Sequence, residues 1–539
     1  MNRLEPWWRT AAVYQVYIRS FADGNGDGTG DIAGLRARLP YLEQLGVDAI
    51  WVNPWYESPL LDGGYDVADY RAIHPDFGSN EEAFDFIEEA GRHGIRVLVD
   101  LVPNHTSWEH RWFREALAAA PGSPERNRYH FQDGRGKSGS LPPTDWTSVF
   151  GGPAWTRVDD GQWYLHLFDP SQPDLNWDNQ EVRDEFEDIL RFWLDHGAAG
   201  FRVDVAHALA KDQSYPDVGD EASESALLAS WAVSNHPFWD RPELHEIVRG
   251  WRRVLDSYDD VMMVAEAWVV NRDRLAMYLR GDEYHQAFEF DLLLSPWNAA
   301  KMHTTIDASI EGAAQVHSVP TWVLSNHDVI RHATRYGLPA DVDPIQWLVD
   351  GDRSLLDREL GLHRARAATL ALLGLPGSVY LYQGEELGLH EVVDLPTEVL
   401  QDPVWERSGH TQKGRDGCRV PIPWTVEGQS AGFGSDGSWL PQPQGWGSMS
   451  VAAQDGIEGS TLEFYRGALA ARREHMVGDA QLTWIDLGED ILAYQRGSGV
   501  TCIVNMRTEP VELPDGEILV TSGDIDGRSL APDRAVWIR

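Results

Sequence analysis

Three carboxylates fall where short apolar runs end: Asp204 in GFRVDVAH, Glu266 in VMMVAEAW and Asp328 in WVLSNHD. Cutting a glycosidic bond needs such groups, one acid to protonate the departing oxygen and one carboxylate across the sugar ring. With 85 acidic residues in the chain, an arbitrary Asp near a strand end is more often surface or cap than catalyst. The neighbours set these three apart. Arg202 shares a strand face with Asp204 and can keep it ionised, as a nucleophile requires. Glu266 stands among Val264, Ala265 and Trp268, an apolar setting that raises a carboxyl toward a proton donor. Asp328 directly follows His327. A structural Arg–Asp pair and a Glu capping a loop would use the same residues.

The elements that must position these groups follow from periodicity. Candidate strands begin at Val13, Asp48, Ile95, Gly200, Val261, Ala287, Pro320 and Ser378. Amphipathic helices lie between them: Ile32, Leu35, Leu39 and Leu42 share one face, as do Val182, Phe186, Ile189 and Trp193. Eight strands alternating with helices predict an α/β fold of the (β/α)8 TIM barrel type, with a doubly wound open sheet as the competing arrangement. Barrel active sites gather at the C-terminal ends of strands, and Asp100, Asp204, Glu266 and Asp328 all occur at such ends. The expected domains are a barrel over 1–104 and 179–477, a small inserted domain over 105–178 after strand three, and a C-terminal antiparallel β-sandwich domain over 478–539. A second interruption, from Gly384 to about Ser460, carries Trp405, Trp424, Trp439 and Trp446.

A net charge of −40, from 45 basic and 85 acidic residues, repels phosphate backbones and anionic lipid, so no nucleic-acid or membrane partner is expected. A small neutral substrate suits it. Cys418 and Cys502 form no metal spacing and read as free thiols, which favours a reducing compartment. With no apolar stretch long enough for a leader or span, the expected location is cytoplasmic.

DLVPNH, GFRVDVAH, AEAW and SNHD, in this order and spacing, resemble the four signature segments of the α-amylase superfamily, glycoside hydrolase family 13. QVYIRSFADGNGDGTGDIAGL, QPDLNW at 172–177 and CRVPIPW at 418–424 resemble its α-glucosidase and oligo-1,6-glucosidase branch. The resemblance implies that Asp204 is the nucleophile, Glu266 the general acid and base, and Asp328 the residue that holds sugar hydroxyls and stabilises the oxocarbenium-like transition state. The reaction would retain configuration, with the two carboxyl groups about 5 to 5.5 Å apart. By the same resemblance His105 and His327 donate to sugar hydroxyls, and Tyr65 stacks on the ring. Asp62 and Arg419 grip the far hydroxyls of a terminal glucose and close the pocket, which gives exo cleavage. Phe168 lines the leaving-group side, or packs a core. Val205, after the nucleophile, accompanies α-1,6 preference in this branch, but the chain departs from the better-known pattern by continuing DVAH where DVIN is common.

The expected enzyme is a retaining α-glucosidase acting on maltose-, isomaltose- or sucrose-type glucosides. The alternatives are a transglucosylase or a sucrose or maltose isomerase on the same scaffold and, more remotely, a non-catalytic binding barrel. Away from the chemistry, DGNGDGTGD offers Asp23, Asn25, Asp27, the Thr29 carbonyl and Asp31 at alternate positions of an EF-hand-like loop with Gly28 at position six. Position twelve is Gly34 rather than Glu, so waters would complete the shell. The resemblance implies a structural Ca2+ or Mg2+ there, with a solvated Gly-rich turn as the alternative. No organic cofactor is expected.

Overall fold

The computed structural model describes residues 5–219, 236–435, 437–476, 478 and 481–539. Residue 477, where the barrel domain is expected to end, and the first four residues of the opening segment lie outside them. Eight parallel strands close into a barrel: β1 (Ala12–Val16), β2 (Ala49–Val52), β3 (Arg96–Leu101), β4 (Gly200–Val203), β5 (Met262–Ala265), β6 (Gln286–Glu289), β7 (Thr321–Val323) and β8 (Ser378–Tyr382). Neighbours follow chain order, and β8 bonds back to β1 with Ala12 opposite Val379. An open sheet would leave two edges; here there is none.

Alternation along the strands sorts the side chains. Val13, Trp51, Leu98, Val264, Phe288, Val323 and Tyr380 form one buried cluster, the barrel interior. Val97, Val99, Phe201 and Val203 instead join the larger core under the helices. Asp100 is two residues beyond Leu98 and Arg202 two beyond Gly200, so both have inward parity near the strands' C-terminal ends. The β3–β4 register then sets Asp100 directly opposite Arg202.

The helices cover the barrel with the expected stripes. Asn179 caps the helix Gln180–Asp195, accepting from Glu181 N at 2.9 Å, and Val182, Phe186, Ile189 and Trp193 are buried. The first helical stripe is two helices, Ile32–Ala37 and Leu39–Leu45, broken at Arg38. Pro40 has no N–H for a continuous helix and serves instead in the first turn of the second.

Between β3 and that capped helix the chain forms a helix, Arg111–Ala118, and a small antiparallel sheet in which Gln162–Leu165 pairs with both Phe131–Asp133 and Trp155–Arg157. The C-terminal part has a five-stranded and a three-stranded antiparallel sheet, packed through Ala493, Ile503, Leu513, Leu530 and Val536. Among the described residues no helix is long and apolar enough to cross a membrane. Cys418 and Cys502 are both free and buried.

Candidate active site

Arg202 is the centre of the site, 1% exposed, with its guanidinium carbon 4.7 Å over the Trp51 ring. Its Nη1 donates to Asp204 Oδ1 at 2.7 Å and to both oxygens of Asp100 at 2.9 and 3.1 Å; its Nη2 donates to Glu266 Oε2 at 2.6 Å. The nucleophile and acid–base carboxylates expected from sequence therefore hang on one rigid fork. The sheet ladder continues one residue past β4 and β5 and pins both backbones: Asp204 N donates to Leu101 O and Glu266 N to Val203 O. Val205 has φ +43°, rare for a β-branched residue. That turn aims its N–H at Glu266 Oε2, 3.2 Å away, while Trp268 Nε1 holds Oε1 at 3.0 Å.

Burial pushes the Asp204 carboxyl well above the usual carboxylate range; Arg202 pulls it down, and Glu266, within hydrogen-bond reach, pushes it up with Asp100. This corrects the expectation that Arg202 holds Asp204 depressed. One guanidinium shared among three carboxylates does not offset their desolvation and mutual repulsion. Asp100 is pushed up to about 6, burial again leading and Arg202 opposing. Because a nucleophile must be ionised, the acid limb of kcat/KM is expected to lie above the ~4 of an ordinary carboxylate. A pH–rate profile checks this; a limb at or below that value would contradict it.

Asp328 lies in the loop after β7. Its Oδ2 is 3.2 Å from His327 Nε2, and its Oδ1 accepts from Arg415 Nη1 and Arg419 Nη2, each at 3.1 Å. Burial raises the Asp328 pKa, but His327, Arg415, Arg419 and Arg202 outweigh it and hold the group below the usual range. Burial also drives the His327 pKa well down. The imidazole is thus neutral at pH 7, and the arginines carry the permanent positive charge. Gln15 Nε2 donates to His327 Nδ1 at 2.8 Å, which places the ring proton on Nε2, toward Asp328.

Tyr65 lies against His327, ring centroids 5.2 Å apart and planes 8° from parallel, and donates its hydroxyl to Asp100 Oδ2 at 3.0 Å. His105 Nε2 donates to Tyr65 O at 3.1 Å. Gln172, between them and Asp62, donates to Asp62 Oδ2 at 3.0 Å. Of the two residues expected to grip the far hydroxyls, Asp62 Oδ1 accepts from Arg415 Nη2 at 2.8 Å, and Arg419 donates to the His327 carbonyl at 2.9 Å and to Asp328. The short helical turn Asp416–Cys418 separates the two arginines, so they reach Asp328 by different routes. Asp328 and Arg415 keep 18% side-chain exposure, which marks the open face of the pocket. Phe168 packs on Phe150 at 5.5 Å in an apolar cluster with Val205, Phe238 and Trp239, beside Asp204. The sequence reading gave no role to Gln172, Asp402 or Arg415, and left Asp100 only as a strand-end acid.

At the metal loop, Asp23 accepts from Gly26 N and Gly28 N at 2.6 and 2.8 Å, and Asp31 from Gly24, Asn25 and Gly34 amides. Asn25 accepts from Asp27 N and Asp27 from Thr29 N, both at 2.8 Å. Gly28 at φ +92° makes the turn, and its carbonyl takes Trp439 N at 2.9 Å. Among the described residues no three His, Cys, Asp or Glu side chains converge as a ligand group. The donor types nonetheless suit a hard cation, and each carboxylate retains lone pairs beyond its amide bonds.

Residues 15–479 match the family model for the alpha-amylase catalytic domain. The chain belongs to the α-amylase family. A probable alpha-glucosidase of Rhizobium meliloti is 36% identical over 541 residues, covering 95% of this chain and 92% of that protein. An oligo-1,6-glucosidase of Parageobacillus thermoglucosidasius is 32% identical over 568 residues, covering 96% and 95%. The crystal structure of an alpha-glucosyl transfer enzyme, XgtA, matches with a TM-score of 0.86 at 35% identity, covering 99% of this chain and 100% of that one. The chain is a glycoside hydrolase of the α-glucosidase branch of the α-amylase family. Its carboxylates stand on the catalytic face of an α-amylase-family barrel, at the strand ends.

Proposed function

We propose that this enzyme is a retaining, exo-acting α-glucosidase that removes terminal non-reducing α-linked glucose from small neutral glucosides of the maltose, isomaltose or sucrose type. One observation carries the reading: Arg202 holds Asp204 and Glu266 side by side, and at the same end of the barrel Arg415 joins Asp62 to Asp328. Two carboxylates held on adjacent nitrogens of one guanidinium suit the close pair that double displacement uses. Asp204 attacks C1 while Glu266 gives its proton to the glycosidic oxygen, and the aglycone leaves. Glu266, now a carboxylate, takes a proton from water, which attacks the same carbon and releases glucose with its configuration retained. The ionised Asp328 faces the positive charge that develops on the ring. The Asp62–Arg415 pair suits the far hydroxyls of one sugar and blocks a further one.

A second reading, transfer of the glucosyl group to another sugar, is favoured by the likeness to the alpha-glucosyl transfer enzyme. The apolar wall of Phe150, Phe168 and Trp239 beside Asp204 would also seat an acceptor. Products resolved over time from sucrose, maltose, isomaltose and trehalose separate the two. Free glucose is expected to dominate; isomers or longer oligomers outnumbering it at high substrate would assign transfer instead.

The loop Asp23–Asp31 is assigned to a structural Ca2+ or Mg2+, held by Asp23, Asn25, Asp27, the Thr29 carbonyl and Asp31 with waters. Such an ion would fasten the β1 loop, which already bonds Trp439. Chelation is expected to lower Tm, and calcium to restore it; an unchanged Tm would remove the assignment. The two buried free thiols support a reducing, cytoplasmic setting.

A further inference from the structure

We infer that Asp402, in the long loop after β8, is a positioning residue that sets the plane of Arg415 and through it the grip on the terminal sugar. The inference rests on the glucose-pocket reading above. The Asp402 carboxylate is fully buried, and among the described residues its hydrogen-bond partners lie in its own loop. Its Oδ2 accepts from Arg415 Nε at 2.6 Å and Arg415 N at 2.7 Å, and its Oδ1 from Arg415 Nη2 at 3.2 Å. Backbone and side chain of one arginine are thus held by one acid. The remaining guanidinium donors are left to point at Asp62 Oδ1 and Asp328 Oδ1, which belong to the loops after β2 and β7.

Asp402 is itself fixed. Its amide and that of Gln401 donate to Asp416 Oδ2 at 3.0 and 2.7 Å, and its Oδ1 caps the helix Pro403–Arg407. Gly414 has φ +75°, and a Cβ there would fall 2.7 Å from that of Asp402. The loop has to pass this close for Arg415 N to reach the carboxylate. On its outer side the guanidinium lies 5.2 Å from the centre of the Phe150 ring, in the excursion after β3. An arginine has many rotamers, and a two-acid pocket alone would leave its plane free to tilt; the Nε contact removes that freedom. The Asp402 side chain is 0% exposed and is closed off from any bound sugar, so its effect has to pass through Arg415.

The test is a double-mutant cycle on 4-nitrophenyl α-glucoside, with Tm recorded for every variant. Asp402→Asn is expected to lower kcat/KM at least about tenfold, mostly through KM. In an Arg415→Ala background the same change is expected to cost less than about threefold, and to raise Tm, because Asp402 is there a buried charge without its partner. An equal fall in both backgrounds, or no fall in either, would overturn the inference. If Asp402→Asn does not fold, Asp402→Glu carries the same comparison, since its longer arm keeps the charge but displaces the guanidinium. A wild-type enzyme inert toward the glucoside would instead count against the proposed function.

Discussion

Replacing Asp204 with alanine is expected to cut turnover of 4-nitrophenyl α-glucoside by about a thousandfold or more while leaving the fold intact. The size follows from the role: without the carboxylate, C1 has no nucleophile within the enzyme, and the remaining groups offer only orientation and charge. Retention of the fold follows from the charges. Three carboxylates share the Arg202 guanidinium, and the Asp204 pKa is raised because that ratio is unfavourable. Removing one acid relieves repulsion, so Tm is expected to hold or rise. Azide distinguishes a nucleophile from a merely electrostatic acid. In Asp204→Ala the anion can enter the vacated space and attack C1 as 4-nitrophenolate departs, a single displacement that yields the β-glucosyl azide. Turnover surviving near the wild-type rate, or rescue giving the α-azide, would reject Asp204 as nucleophile.

Much of this was legible in the chain because period and parity constrain it. The eight strand starts predicted from apolar runs each fall within two residues of an observed barrel strand, and Arg202 and Asp204 were placed on one face by counting in twos. Strand order along the barrel needed no long-range information, since each β–α–β unit sets its next neighbour. Two kinds of information were absent. Register decides that Asp100 is opposite Arg202, and register depends on pairing across about a hundred residues. That pairing turns a simple Arg–Asp couple into one cation among three acids, and reverses the expected direction for Asp204. Irregular loops were the other gap. Arg415 and Arg419 stand four residues apart in GRDGCR, and nothing in their spacing says which meets Asp62; the intervening helical turn decides it. Asp402 carries no sequence signal, because its partner is selected by the path of a loop without repeating structure.

Replacing Arg202 with methionine is expected to abolish activity and to destabilise the protein by about 3 to 5 kcal/mol at neutral pH, the range for breaking a buried ion pair on one side. Asp100 is 0% exposed, and Asp204 and Glu266 are 6% and 8% exposed, so none can turn to solvent when the guanidinium goes. Tyr65 would also lose a donor, at 3.3 Å from Nη1. The loss should depend on pH in a set direction. In the wild type burial pushes Asp100 up to about 6, above the ~4 of an unfolded chain. A group raised on folding adds stability that is complete below its unfolded pKa and fades as pH rises through its folded one. Removing Arg202 raises the folded values further and extends that fade upward. The variant should therefore be close to wild type in stability near about pH 4 and fall behind progressively toward about pH 8. Denaturant titrations at several pH values measure this, and a loss independent of pH would mean that packing on Trp51, rather than charge, is what Arg202 supplies. Adding Asp100→Asn to Arg202→Met should recover part of the stability but none of the activity, because it removes one unpaired carboxylate without restoring the fork that holds Asp204 beside Glu266.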